Sequence, residues 1–160
     1  MVAEHLAKKE YLFAIKMTER ARTLGMSKTT FRNASGLPNR KQVSTARDMA
    51  ILSARLFKDF PGYYSYFSRP TFTYKGKTHR SHNNLLSKYE GADGIKTGYT
   101  RASGFNLAAS AKRGGHRLIG VVLGGRSVRT RDRHLTDLLD KGFAVLFHRP
   151  ETVVTAKRIE

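Results

Sequence analysis

A chain of 160 residues with 39% hydrophobic content is long enough to pack one domain core, which excludes a disordered tail or linker. Lysine and arginine number 30 against 12 acidic residues, a formal charge of +18 that draws the chain towards polyanions: nucleic acid, anionic lipid or anionic wall polymers. Cysteine is absent, which excludes disulfides and thiolate metal sites, and the 6 histidines show no paired ligand spacing, so no metal is assigned.

In chain order, Val2, Leu6, Phe13, Met17, Ala21 and Leu24 recur at helical spacing before Gly25, predicting one amphipathic helix. The opening residues do not form a basic segment followed by an apolar one, and no run reaches membrane-spanning length. As written, the sequence carries no export signal, which predicts a cytoplasmic location for this chain expressed as it stands. Thr29 to Pro38 reads as extended and turning. Thr45, with Asp48 three positions on, resembles a capping box with Asp in place of Glu, and Met49, Leu52, Leu56 and Phe60 supply an apolar stripe. A second helix is therefore expected over 46–59, ended by Pro61-Gly62. The aromatic cluster Tyr63, Tyr64, Tyr66 and Phe67 is expected to form a packed corner.

Phe72 and Tyr74 alternate with threonines and predict a small hairpin turning at Lys75-Gly76. After the turn Gly91-Ala92-Asp93-Gly94 comes a strand through Ile95-Lys96-Thr97. Phe105, Leu107 and Ala109 then alternate, Gly114-Gly115 turns, and Leu118 to Leu123 is almost unbroken apolar, as expected of a strand covered on both faces. A last helix is expected over 132–147, with a polar tail over 148–160. The order of elements gives an α+β fold, a three-stranded antiparallel sheet flanked by helices.

The chemistry concentrates in Asp93-Gly94-Ile95-Lys96-Thr97-Gly98-Tyr99-Thr100. Extended backbone sends Lys96 and Thr97 to opposite faces, and Gly98 leaves the strand bare for close approach of an extended peptide. Lys-Thr-Gly is one of the motifs of the serine penicillin-binding enzymes. Together with Asn33-Ala34-Ser35-Gly36-Leu37-Pro38, the run from Gln42 to Ala50, and Gly124-Gly125-Arg126, it resembles the serine D-alanyl-D-alanine carboxypeptidases, from about Val2 to about Phe147.

The resemblance implies a β-lactamase/transpeptidase-like fold, present here only as the C-terminal part of the catalytic domain over 1–147. Its N-terminal strands and nucleophile helix would be missing. It also implies hydrolysis of peptidoglycan stem peptides through an acyl-enzyme, acylation by β-lactams, no cofactor, and a place in the periplasm or cell envelope. By the same resemblance Lys96 is the catalytic cation. Thr97, Gly98 and Tyr99 bind substrate, Thr97 and Arg126 taking the terminal carboxylate and the Tyr99 backbone N–H acting as an oxyanion donor.

No Ser-x-x-Lys occurs anywhere in the sequence, and Ser81-His82-Asn83, a literal Ser-x-Asn, lies too late in the chain and is read as coincidence. The expectation is therefore a truncated chain, inactive alone, whose missing N-terminal half is lost, is encoded upstream of a misplaced start, or is supplied by another polypeptide. Loss of that half would leave the strand at Leu118 to Leu123 as an open apolar edge prone to aggregation. Two other readings stand beside this one. One is a basic nucleic-acid or polyanion-binding module, disfavoured because the cations are spread along the chain with no nucleic-acid motif. The other is a non-catalytic peptidoglycan binder.

Overall fold

The computed structural model of the chain describes residues 2–148. The expected tail thus lies almost wholly outside the described residues.

The first apolar stripe folds as two helices where one is expected: α1 (Val2–Ala7) and α2 (Glu10–Thr23). Between them Lys8 takes φ +64°, and the Lys9 N–H donates back to the Ala7 carbonyl at 2.7 Å, closing a three-residue γ-turn. The residues buried on this stretch are Ala7, Ala14 and Ala21, while Val2 and Leu6 point outward.

Helix α3 (Ala46–Asp59) forms where expected. Thr45 Oγ1 accepts from the Asp48 N–H at 3.1 Å, the first half of a capping box. The second half is diverted. Asp48 is 2% exposed, and its carboxylate accepts from Thr29 Oγ1 at 2.6 Å and from the Lys28 N–H at 2.9 Å, tying the 26–30 loop to α3. These hydrogen bonds, that from Thr29 foremost, hold the Asp48 carboxyl below the usual aspartate range despite its burial.

Past Phe60 the chain continues as a 3₁₀ segment, Pro61–Ser68. Side chains three apart eclipse in a 3₁₀ helix. Tyr64 and Phe67 accordingly turn inward, with Tyr64 edge-on to Phe57 at 5.3 Å, while Tyr63 and Tyr66 stack on the outside. The expected packed corner is thus half core and half surface.

Strands β1 (Thr71–Tyr74) and β2 (Lys77–Arg80) make the small hairpin, and a single turn, α4 (Leu85–Lys88), precedes the main sheet. That sheet is antiparallel in the order β3 (Ala92–Thr100), β4 (Gly104–Arg113), β5 (His116–Gly125), and the last helix is α5 (Val128–Phe147). Pairing runs Lys96 to Ala108, Thr97 to Leu107 and Gly98 to Asn106, then Ala109 to Gly120 and Ala111 to Leu118.

On one face Leu107, Ala109, Ala111 and Val122 meet Leu135, Leu139 and Phe143 of α5 and Leu85 of α4, which together form the main apolar core. Close approach of α5 depends on glycine. A Cβ on Gly120 would stand 2.6 Å from Leu135 Cδ1, and one on Gly125 would stand 2.8 Å from Arg131 Cβ. On the opposite face α3 and the 3₁₀ segment cover β3 to β5. There the Asp93 carboxylate takes both Nη atoms of Arg117, at 2.7 and 2.6 Å, and the Ser110 hydroxyl. The Tyr64 hydroxyl reaches Ser110 Oγ at 2.6 Å, and the Arg117 guanidinium lies 4.2 Å from the Phe57 ring centroid. This network knits all three strands together at the N-terminal end of β3.

Covered by α5 on one side and α3 on the other, β5 is helix-flanked as expected. Its outer backbone edge has no strand neighbour among the described residues.

Candidate active site

The Lys-Thr-Gly residues lie on β3, which is the other edge of the sheet. Its outer backbone therefore has no strand partner among the described residues. At the start of that edge Asn83, buried, donates through Nδ2 to the Gly94 carbonyl at 2.9 Å while its Oδ1 accepts from the Leu85 N–H at 3.2 Å. One side chain thus pins α4 to β3 and leaves the edge from Lys96 onward open.

Lys96, Thr97, Gly98 and Tyr99 together line a cavity of ≈ 520 Å³, whose other walls are Ser81, His82, Asn84, Phe105, Val128 and Arg131. That volume suits the end of a peptide or another small ligand. Lys96 is exposed, and its Nζ donates to the Thr97 carbonyl at 2.8 Å. Thr97 is half-buried. Tyr99 is exposed and lies against Phe105, with ring centroids 4.5 Å apart.

Arg126 takes a different position from these four. It is exposed in the turn between β5 and α5, outside the lining of the cavity. The arginine among the lining residues is Arg131, 3% exposed, in the first turn of α5. Arg131 donates through Nε and Nη2 to Asp132 Oδ1 at 2.9 and 2.6 Å, and through Nη1 to the Asn106 carbonyl at 3.5 Å. Asp132 Oδ2 in turn accepts from Asn84 Nδ2 at 3.0 Å. Charge pairing and hydrogen bonding thus fix the planar guanidinium in one orientation.

Helix α5 begins four residues earlier than expected, and this is what carries Arg131 there. Ser127 Oγ accepts from the Thr130 N–H at 3.1 Å, and Thr130 Oγ1 accepts from the Ser127 N–H at 3.0 Å, a reciprocal cap with Thr in the place usually held by Glu or Gln. Ser-x-x-Thr was the available sequence signal.

Ser81-His82-Asn83 falls beside the Lys-Thr-Gly strand. Ser81 and His82 line the cavity, Ser81 Oγ accepting from the Asn83 N–H at 3.2 Å. Among the described residues no three His, Asp or Glu side chains converge as a metal site would need.

An antiparallel sheet faced by helices, with a lysine-threonine-glycine strand at its open edge, defines the class of the penicillin-binding and transpeptidase folds. The chain belongs to the D-alanyl-D-alanine carboxypeptidase family, whose profile matches residues 1–127. It is 38% identical over 143 residues to the D-alanyl-D-alanine carboxypeptidase DacA of Escherichia coli, covering 89% of this chain and 36% of that protein. To DacF of Bacillus subtilis it is 36% identical over 166 residues, covering 98% of this chain and 42% of the relative.

Among solved structures, penicillin-binding protein 5 of Haemophilus influenzae superposes with a TM-score of 0.83 at 36% identity, over 89% of this chain and 42% of its own. Penicillin-binding protein D2 of Listeria monocytogenes, in its cefotaxime-bound form, gives 0.76 at 38% identity, over 82% and 55%. The chain thus spans roughly two fifths of the length of the curated relatives above. Among the described residues no helix is long and apolar enough to cross a membrane.

Proposed function

We propose that these residues form the substrate-binding wall of a serine D-alanyl-D-alanine carboxypeptidase site acting on peptidoglycan stem peptides in the cell envelope. The observation that carries this reading is the convergence of Lys96, Thr97, Gly98 and Tyr99 with Arg131 on one cavity at an open strand edge. An extended peptide ending in D-alanyl-D-alanine would add to the β3 edge, its main chain pairing with the backbone around Gly98. Its terminal carboxylate would be held by the Thr97 hydroxyl and a guanidinium. Arg131 is the better placed for that charge, and Arg126 would serve from the mouth of the site.

Lys96 supplies positive charge where a serine nucleophile must be deprotonated, and the Tyr99 N–H supplies one oxyanion donor. The attacking serine and its lysine are not found in these 160 residues. In this reading they come from sequence outside these residues that carries Ser-x-x-Lys, and the completed site is acylated by β-lactams.

The test is acylation by labelled penicillin. The purified chain alone should not be labelled. Mixed or co-expressed with a polypeptide bearing the Ser-x-x-Lys helix, the pair should be labelled at the added serine, with the signal lost in Lys96→Ala. Labelling that is indifferent to Lys96, or that occurs on the chain alone, would count against the assignment.

A further inference from the structure

The β1–β2 hairpin has a surface that its own folding does not explain. Every residue of its two strands is exposed, although a lone two-stranded hairpin is at best marginally stable in water. Phe72 and Tyr74, two apart, share one face and stack with ring centroids 6.4 Å apart at 12°, each more than half exposed. Cross-strand pairing sets His79 opposite Phe72 and Lys77 opposite Tyr74, and so on that same face. The Lys75 ammonium lies 5.5 Å from the Tyr74 ring centroid.

A second flat pair stands alongside. Tyr63 and Tyr66 stack at 6.5 Å and 20°, with the Arg69 guanidinium 4.6 Å from the Tyr66 centroid. One groove joins the two pairs through Tyr66, Arg69, Phe72, His79 and Arg80. The next cavity shares Tyr66, Arg69 and Ser81 with that groove and ends at Lys96 and Thr97. From residue 60 to residue 89 the sequence holds no aspartate or glutamate, but does hold Arg69, Lys75, Lys77, Arg80 and Lys88. Exposed apolar surface of this extent, rimmed by cations of one sign, marks an interaction site.

We propose that this track binds a carboxylate-bearing polysaccharide. Sugar rings lie with their C–H faces on the two aromatic platforms, and carboxylates meet Arg69, Lys77 and Arg80. The near-parallel rings of each pair, all four more than half exposed, offer aromatic surface to successive sugar units, and the groove leads that polymer to the Lys96 wall. Its identity as a cell-wall glycan strand, with lactyl carboxylates free wherever the stem peptide has been removed, rests on the peptide-binding reading of Lys96 and Thr97. The affinity for an anionic polysaccharide does not.

The experiment measures binding of the full 160-residue chain to three probes at one ionic strength. These are cell-wall glycan strands stripped of peptide by an amidase, which leaves a free lactyl carboxylate on each muramic acid, duplex DNA, and phosphatidylglycerol vesicles. Phe72→Ala/Tyr74→Ala and Arg69→Ala/Arg80→Ala should each weaken glycan binding about tenfold, since stacking and charge both contribute. Lys141→Ala, which removes an exposed α5 lysine, should stay within about twofold, separating local recognition from bulk charge. Circular dichroism checks that the hairpin variants remain folded.

Glycan affinity unchanged in both hairpin variants would overturn the proposal, as would DNA or vesicles binding more tightly than glycan and losing affinity in the same variants. Lys96→Ala should leave glycan binding intact and weaken binding of a D-alanyl-D-alanine peptide. If glycan binds and that peptide does not, the reading of the Lys96 wall fails and this proposal stands.

Discussion

Asp93 opens the Lys-Thr-Gly strand, and its replacement by asparagine tests whether the polar network beneath that strand holds the sheet together. The carboxylate receives two guanidinium bonds from Arg117, at 2.7 and 2.6 Å, and the Ser110 hydroxyl besides. Breaking a fully buried ion pair by removing one partner costs roughly 3–5 kcal/mol. Here the Asp93 and Arg117 side chains are 28% and 18% exposed. Water therefore screens part of the interaction, and we expect Asp93→Asn to cost about 2–3 kcal/mol.

For a chain of this size that corresponds to a fall in Tm of about 5–10 °C. The assay is thermal unfolding by circular dichroism at low micromolar concentration, in a cycle with Arg117→Met, whose apolar chain can keep its place over Phe57 and Tyr64. The double variant should recover part of the loss, giving a coupling of at least about 1.5 kcal/mol. A single-variant loss below about 0.5 kcal/mol with no coupling would refute the reasoning and class the pair with ordinary surface ion pairs.

Further outcomes follow from the same geometry. Because the Asp48 carboxyl is depressed when folded, its contribution is complete above the ordinary aspartate value of about 4 and is lost as pH falls through the folded value. Asp48→Asn should flatten stability against pH in that acid window, and an unchanged acid slope would contradict the role given to Thr29. Gly120→Ala should cost about 1–3 kcal/mol by pushing Leu135 away, read as a lowered denaturation midpoint. The open β5 edge should make the chain associate as its concentration rises, with Leu123→Lys reducing that association in sedimentation velocity. A clean monomer with a sharp cooperative transition at every concentration would contradict that edge as an interaction surface.

How much of the molecule could be read beforehand depends on how local each signal is. Lys96 to Tyr99 are contiguous on one strand, so the Lys-Thr-Gly motif and its family resemblance single them out together, and all four line the one cavity. Arg131 is brought there by a helix start, and that start is set by a Ser127–Thr130 cap that a search for Glu or Gln at the third position passes over. Arg126, nearer the glycine pair, was the visible candidate, and the first turn of α5 carries the chain past it.

Ser81 and His82 lie far along the chain for a Ser-x-Asn motif of the family, yet they line the same cavity as β3, a proximity that no local pattern encodes. The break at Lys8 escaped a periodicity argument for a similar reason. A γ-turn interrupts the helix without interrupting the apolar spacing. In the 3₁₀ segment the signal was present as the pairs Tyr63/Tyr66 and Tyr64/Phe67, three apart, which a reading at helical or strand period does not register.

The most direct test of the central claim is an amide NMR titration of the chain with an N-acylated peptide ending in D-alanyl-D-alanine, beside the same peptide with its C-terminus amidated. The account predicts shifts at Lys96 through Tyr99 and at Arg131, saturating with the free acid and largely lost with the amide. Shifts elsewhere on the chain, or equal shifts with both peptides, would mean that this strand edge is not a wall for the terminal carboxylate.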